Sequence, residues 1–224
     1  MLYSLIQGGF TLEALISVLC SIPVIILALC IHESAHGLAA KLMGDPTAYN
    51  LGRITLNPLK HLDPIGAILM FVFGFGWAKP VPINTRHFRN PKWGMAISAL
   101  AGPLSNLVCS YIYFVAWILI NRYLISPVQS PNVYISAIAM FCEVGFFLNL
   151  SLAVFNLIPM PPLDGSRILF VVLPTKAYFA VMKYERIIYY VIMALVITGV
   201  LSVPLDFIKE LITKLFLLSV IWMV

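Results

Sequence analysis

Charge is what this sequence has least of. Asp, Glu, Lys and Arg make up 10% of its 224 residues, and from Ala14 to Ile31 there is none. A soluble domain carries about a quarter charged residues. With a hydrophobic fraction of 61% and a mean hydropathy of +0.97, the scarcity excludes an ordinary soluble domain and predicts a polytopic membrane protein. Cysteine is also scarce. Cys20, Cys30, Cys109 and Cys142 lie inside apolar runs, without CxxC spacing. That excludes a disulfide framework or a thiolate metal site and leaves them as small buried hydrophobes. The N-terminus lacks a basic leader, so no cleavable signal peptide is expected. The net charge of +5 does not predict a nucleic-acid partner, because the basic residues fall in loops between apolar runs. It is read instead as topology.

What is present starts with a long apolar run, expected as a helix from about Thr11 to Met43, that carries His32-Glu33-Ser34-Ala35-His36. Two histidines four residues apart lie one above the other on a helix, with Cβ atoms roughly 5–6 Å apart, so both imidazoles can meet one metal ion. Glu33 between them is placed to flank a water at the metal rather than to ligate. Histidine and glutamate at membrane depth are expensive and point to function.

Past Gly44-Asp45-Pro46 the chain is rich in Pro and Gly as far as Lys92. Within that region Ile65 to Trp77 is apolar but too short to span, and reads as re-entrant or interfacial. Trp77 to Asn84, interrupted by Pro80 and Pro82, predicts an extended edge strand or hairpin. Gly94 to Asn121 is a second span, with Gly94, Ser98, Gly102, Asn106 and Ser110 forming the small, polar stripe that close helix packing in a bilayer needs. Val133 to Ile158 is a third span. The prolines from Pro159 end it before Asp164-Gly165, and a short helix follows from Ser166. The charges from Lys183 to Arg186 read as a solvated interface, Ile188 to Val203 as a fourth span, and Leu205 to Val224 as a final apolar helix. The expected fold is an all-α membrane bundle, a single domain over residues 1–224. Its catalytic core of three helices covers about 11–167 and accessory helices occupy 168–224. A small extended or β element lies on the cytoplasmic side.

Lys41, Arg53, Lys60, Lys79, Arg86, Arg89 and Lys92 follow the first span, only Arg122 follows the second, and Arg167, Lys176, Lys183 and Arg186 follow the third. The positive-inside rule therefore sets the first and third groups in the cytoplasm. The expected location is a multi-pass cell-membrane protein. His32, His36 and Asp164 then share one side of the bilayer. Catalytic zinc commonly takes three protein ligands, and Asp164 is the best candidate for the third. Its competing role is the N-cap of the helix from Ser166. His61 and His87 read as loop and surface histidines, and Glu143 as either functional or packed in the bundle.

His32-Glu33-Ser34-Ala35-His36 on an apolar helix, followed by Asn156-Leu157-Ile158-Pro159-Met160-Pro161-Pro162-Leu163-Asp164-Gly165, resembles the HExxH and NxxPxPxLDG elements of the site-2 protease family of intramembrane zinc metalloproteases. Ala101-Gly102-Pro103-Leu104-Ser105-Asn106 is similar to that family's middle-helix pattern. The resemblance implies one Zn2+ held by His32, His36 and Asp164, with Glu33 as general base. It implies a substrate that is a membrane-spanning protein or peptide in the bilayer, its backbone or oxyanion held by Asn156 and Asn106. Both asparagines also read as helix-packing residues. Many family members carry a PDZ domain between the first two motifs. The stretch from Gly44 to Lys92 is too short for one, since such domains run to about 100 residues, so a short form without it is expected. Two other functions stay open: a transporter or metal permease using the same site, and a non-catalytic scaffold. Neither needs a non-ligating Glu33 between two ligands, whereas hydrolysis does.

Overall fold

The structure, a computed structural model, describes residues 12–73, 78–125 and 132–223. Three helices in it are long and apolar enough to cross a membrane: α1 (Leu12–Leu42), α4 (Pro91–Ile120) and α5 (Val133–Asn156). Their ends are written in the sequence. After α1, Gly44 adopts φ +112, a conformation that glycine reaches without steric penalty. The Asn90 side chain accepts from Trp93 N to start α4, and the Asn132 side chain accepts from Tyr134 N to start α5. These are N-caps that satisfy otherwise orphaned amides.

Helix α4 packs against both α1 and α5. The hydrophobic effect does not drive helices together in lipid, so close approach must come from small residues and hydrogen bonds. Gly94, Ser98, Gly102, Asn106 and Ser110 are all buried. A Cβ at Gly94 would collide with the Phe88 ring, and one at Gly102 with both imidazoles of the histidine pair. Ser110 Oγ donates to the Phe146 carbonyl at 3.0 Å. Towards the C-terminal end of α4, Phe114, Phe146, Leu150, Val154 and Val220 form an apolar cluster, with Phe114 and Phe146 ring centroids 5.1 Å apart.

Short elements surround this bundle: α2 (Thr47–Asn50), α3 (Pro64–Phe73), α6 (Gly165–Val172) and α7 (Thr175–Met182). Helix α3 is too short to span. The rest of the apolar segment expected there, including Trp77, lies outside the described residues. The expected strand or hairpin up to Asn84 is not formed among the described residues. One isolated antiparallel bridge pairs Leu62 with Ala78, and Lys79 N donates to the His61 carbonyl at 2.7 Å. Pro80 and Pro82 have no N–H to extend a ladder, and side chains take up the neighbouring backbone groups instead. The expected fourth span is also altered. It is broken into α8 (Glu185–Ile197) and α9 (Ser202–Val220), which together are apolar enough for one span but meet at 78° around Gly199 with φ +74. Helix α8 alone, 13 residues long, covers roughly 20 Å at 1.5 Å per residue, short of the ~30 Å hydrocarbon core.

Candidate metal centre

The long apolar run fixes α1, and α1 fixes the spacing of His32 and His36. Both are buried, at 6% and 7% exposed. Their Nε2 atoms lie 3.0 Å apart. Asp164 Oδ2 lies 3.1 Å from His32 Nε2 and 3.3 Å from His36 Nε2. Four ligands arranged tetrahedrally at about 2.0–2.1 Å from a zinc ion stand roughly 3.3 Å from one another, so this triangle of donor atoms has the size of three corners of such a site. Among the described residues it is the group of His, Cys, Asp and Glu donors gathered closely enough to hold a metal. His36 Nδ1 is 2.7 Å from the Ser98 carbonyl. A carbonyl only accepts, so the proton is on Nδ1 and the Nε2 lone pair points at the triangle, as a metal-ligating imidazole requires.

Asp164 reaches the pair because of what flanks it. A Cβ on Gly165 would run into the carbonyls of Leu157 and Ile158, so glycine there lets the turn lie directly against the end of α5. Asp164 stands at the N-cap position of α6 but makes no capping hydrogen bond. Its carboxylate is turned to the histidines instead.

Glu33 and the triangle line one cavity of about 420 Å³, together with Pro80, Val81, Ile83, Met95, Asn156, Pro162, Leu163 and Arg167. Glu33 Oε2 accepts from Val81 N at 2.8 Å. Asn156 reaches the cavity wall while its Nδ2 donates to the Leu152 carbonyl at 3.0 Å. Asn106 lies elsewhere, fully buried between helices and outside the cavity lining. His61 is fully buried and donates Nε2–H to the Thr55 carbonyl at 2.7 Å, a loop tie rather than a ligand. His87 pairs with Asp45 at 3.0 Å. Glu143 lines a separate groove with Ser17 and Ser21.

Several residues that shape the site carry no motif signal. Arg53, nearly buried, donates to the carbonyls of Lys79 at 2.7 Å and Pro80 at 3.1 Å. Asp45, fully buried, accepts from Asn84 N at 2.7 Å and from Thr47 N at 3.0 Å. With Glu33 these tie down the backbone of 79–84 beside the cavity without a partner strand. In the sequence Arg53 counted only as a loop charge and Asp45 only as part of a helix stop. An arginine and an aspartate inside a Pro/Gly-rich loop are the one signal that could have marked them.

A membrane helix bundle with a His-Glu-x-x-His helix and a distant Asp-Gly turn converging on one cavity is the architecture of a membrane-embedded metallopeptidase site. The model of peptidase family M50 matches residues 21–199, and the chain belongs to that family, the site-2 protease family of its motifs. Three relatives each bear the name "Putative zinc metalloprotease". YwhC of Bacillus subtilis is 43% identical over 145 residues, 65% of each chain. Rip2 of Mycolicibacterium smegmatis is 30% identical over 145 residues, 62% of this chain and 52% of its own. MJ0611 of Methanocaldococcus jannaschii is 32% identical over 106 residues, 47% of this chain and 49% of its own. The chain thus spans about half to two thirds of the length of these relatives. No solved structure matches it.

Proposed function

We propose that this protein is a zinc-dependent intramembrane endopeptidase that hydrolyses peptide bonds in or near transmembrane segments, with its active site toward the cytoplasmic side. The observation that carries the reading is the triangle of His32, His36 and Asp164 donors with the unligated Glu33 carboxylate in the same cavity. Two imidazoles and one carboxylate, with the His36 tautomer fixed by Ser98, suit zinc,. When bound, zinc supplies Lewis acidity, which makes water a competent nucleophile near neutral pH.

The chain's own residues do the rest. Glu33 takes the proton of the attacking water and returns it to the leaving amine nitrogen. The Val81 N–H on Oε2 fixes the carboxylate's orientation. Asn156 has a second Nδ2 proton beyond its bond to Leu152, available to the scissile carbonyl. A helical peptide bond has its carbonyl and N–H committed, so the substrate must be cleaved in extended form. Ile83 offers the edge for this. Its N–H makes no hydrogen bond to a described residue, and Val81 N and Asn84 N on either side are held by Glu33 and Asp45. Pairing one strand of substrate there uses the ordinary chemistry of strand addition.

A metal permease would need a polar route away from the site through the bundle. One cavity that meets α1 just N-terminal to the histidines is about 150 Å³ and is lined by Leu27, Ala28, Ile31, Cys109, Ile112, Tyr113 and Asn149. Its mostly apolar wall, between the site and the groove of Glu143, does not favour ion transit there.

The test pairs bound zinc with cleavage of a generic single-span substrate, for wild type and Glu33→Gln in detergent. One zinc in both, with cleavage in wild type alone, is the expected result. Absence of zinc from wild type after metal reconstitution would overturn the reading.

A further inference from the structure

Arg167 lines the catalytic cavity, one helical turn beyond Asp164. Its guanidinium also leans out of that cavity. Nη2 is 3.6 Å from Glu185 Oε1 and Nη1 is 3.5 Å from the Tyr178 hydroxyl. Both contacts are long, and most of its five donors stay uncommitted. Glu185 belongs to a second cavity, of about 660 Å³, lined by Pro162, Lys183, Glu185, Arg186 and Tyr189. Pro162 lines both cavities. The two spaces therefore adjoin at Pro162, and the Arg167–Glu185 pair bridges them.

The charge of the second cavity is one-sided. Lys183 and Arg186 stand there with a single carboxylate, Glu185, which is already shared with Arg167. Lys183 and Arg186 are exposed, so their charge is available to a ligand. Their neighbour Tyr189 adds a phenol that can donate to an anion. An extended chain advances about 3.3 Å per residue, so a peptide leaving the catalytic cavity past Pro162 reaches this cationic chamber within a few residues.

We propose that the second cavity is a specificity subsite for an acidic side chain of the substrate, placed a few residues from the cleaved bond and received by Lys183 and Arg186. It rests on the endopeptidase reading above. What favours a peptide carboxylate over a lipid headgroup is that the two cavities adjoin at Pro162. A site for lipid alone needs no shared wall at Pro162 and no ion pair tied to the helix that carries Asp164.

The test uses full-length protein in vesicles and a single-span substrate series. Asp, Asn or Lys is set in turn at each position two to five residues to either side of the cleaved bond. At one position kcat/KM should rank Asp over Asn over Lys, with Asp ahead of Lys by about three- to tenfold, the span that two partly exposed ion pairs support. The ranking should reside in KM and shrink as salt is raised. Lys183→Glu/Arg186→Glu should invert it, and the milder Lys183→Gln/Arg186→Gln, which keeps side-chain bulk, should flatten it. No ranking at any position, or the same ranking in the charge-reversed protein, would overturn the subsite while leaving the endopeptidase reading intact. Cleavage of no member of the series would overturn both. Vesicles of phosphatidylcholine with and without phosphatidylserine separate the other source of anions. An effect of the charge-reversed variant that needs phosphatidylserine and ignores substrate charge would assign the cavity to lipid and overturn the proposal.

Discussion

Gly102→Ala tests the metal centre from behind. Gly102 faces the histidine pair across the α1–α4 interface, and a Cβ built there falls on His36 Cε1 and Nε2 and close to His32 Cε1. Ordinary carbon contacts need about 3.5 Å, so the His36 ring must retreat by roughly 1 Å or the helices must part. Neither is free. His36 is tied by Nδ1 to Ser98, on the same helix as Gly102, and metal sites tolerate ligand displacements of only about 0.2 Å. Overpacking a close interface costs about 1–3 kcal/mol, and disturbing ligand orientation costs about 10- to 100-fold in metal affinity. The matched comparison is Gly52→Ala. Gly52 has φ +61 and open space where its Cβ would be, so the substitution should cost about 1–2 kcal/mol of backbone strain and leave zinc untouched. Chelator competition on purified protein reads the affinity, and thermal unfolding reads the strain. Gly102→Ala with wild-type zinc affinity would refute the packing argument, as would loss of zinc in Gly52→Ala.

Two further outcomes follow from the segment beside the cavity. Ile83→Pro should lower cleavage while leaving bound zinc unchanged, because it removes the one N–H there that no described residue accepts; unchanged cleavage would count against strand addition. Proline at Val81 is the less clean test, since it also takes the hydrogen bond from Glu33. The Asp45 carboxyl would be raised by its burial, but Thr47, the Asn84 amide and His87 lower it on balance. With its folded value below its unfolded one, near 4, the carboxylate's contribution is complete above that range and is lost as pH falls through the folded value. Thermal unfolding of wild type and Asp45→Asn should therefore differ by about 1–3 kcal/mol at neutral pH, the cost of spoiling a buried hydrogen-bond acceptor, and converge in acid. A difference that persists or grows in acid would be the wrong sign.

The three long helices were legible because their signals are local. An uncharged run, a capping Asn and a small-residue stripe each act within a few residues. The His32–His36 pair was legible for the same reason, since one helix sets its spacing. Asp164 could be nominated but its direction could not be read, because an Asp-Gly before a helix also describes an N-cap. The close fit of Gly165 on the end of α5 places its carboxylate beside the histidines, and that is a tertiary fact. The strand expected up to Asn84 failed because the sequence shows that two prolines forbid helix but not whether a partner strand exists. Here Arg53, Asp45 and Glu33 supply the partners from three places in the chain. The bend of the fourth apolar stretch at Gly199 was not legible, because hydropathy continues there while the backbone turns.

The triangle of donors also bears on when the protein becomes active. His32 and Asp164 are 132 residues apart in sequence, with α4 and α5 between them. Closing a loop of that length costs entropy that grows only slowly with further length, but it cannot be recovered until α4 and α5 are packed and the Asp-Gly turn has docked on α5. A chain still emerging into the bilayer holds the histidines and Glu33 early, yet lacks the third donor until after its third span. The hydrolytic capacity proposed above is thus withheld through biogenesis by chain order alone, and arrives together with the folded bundle.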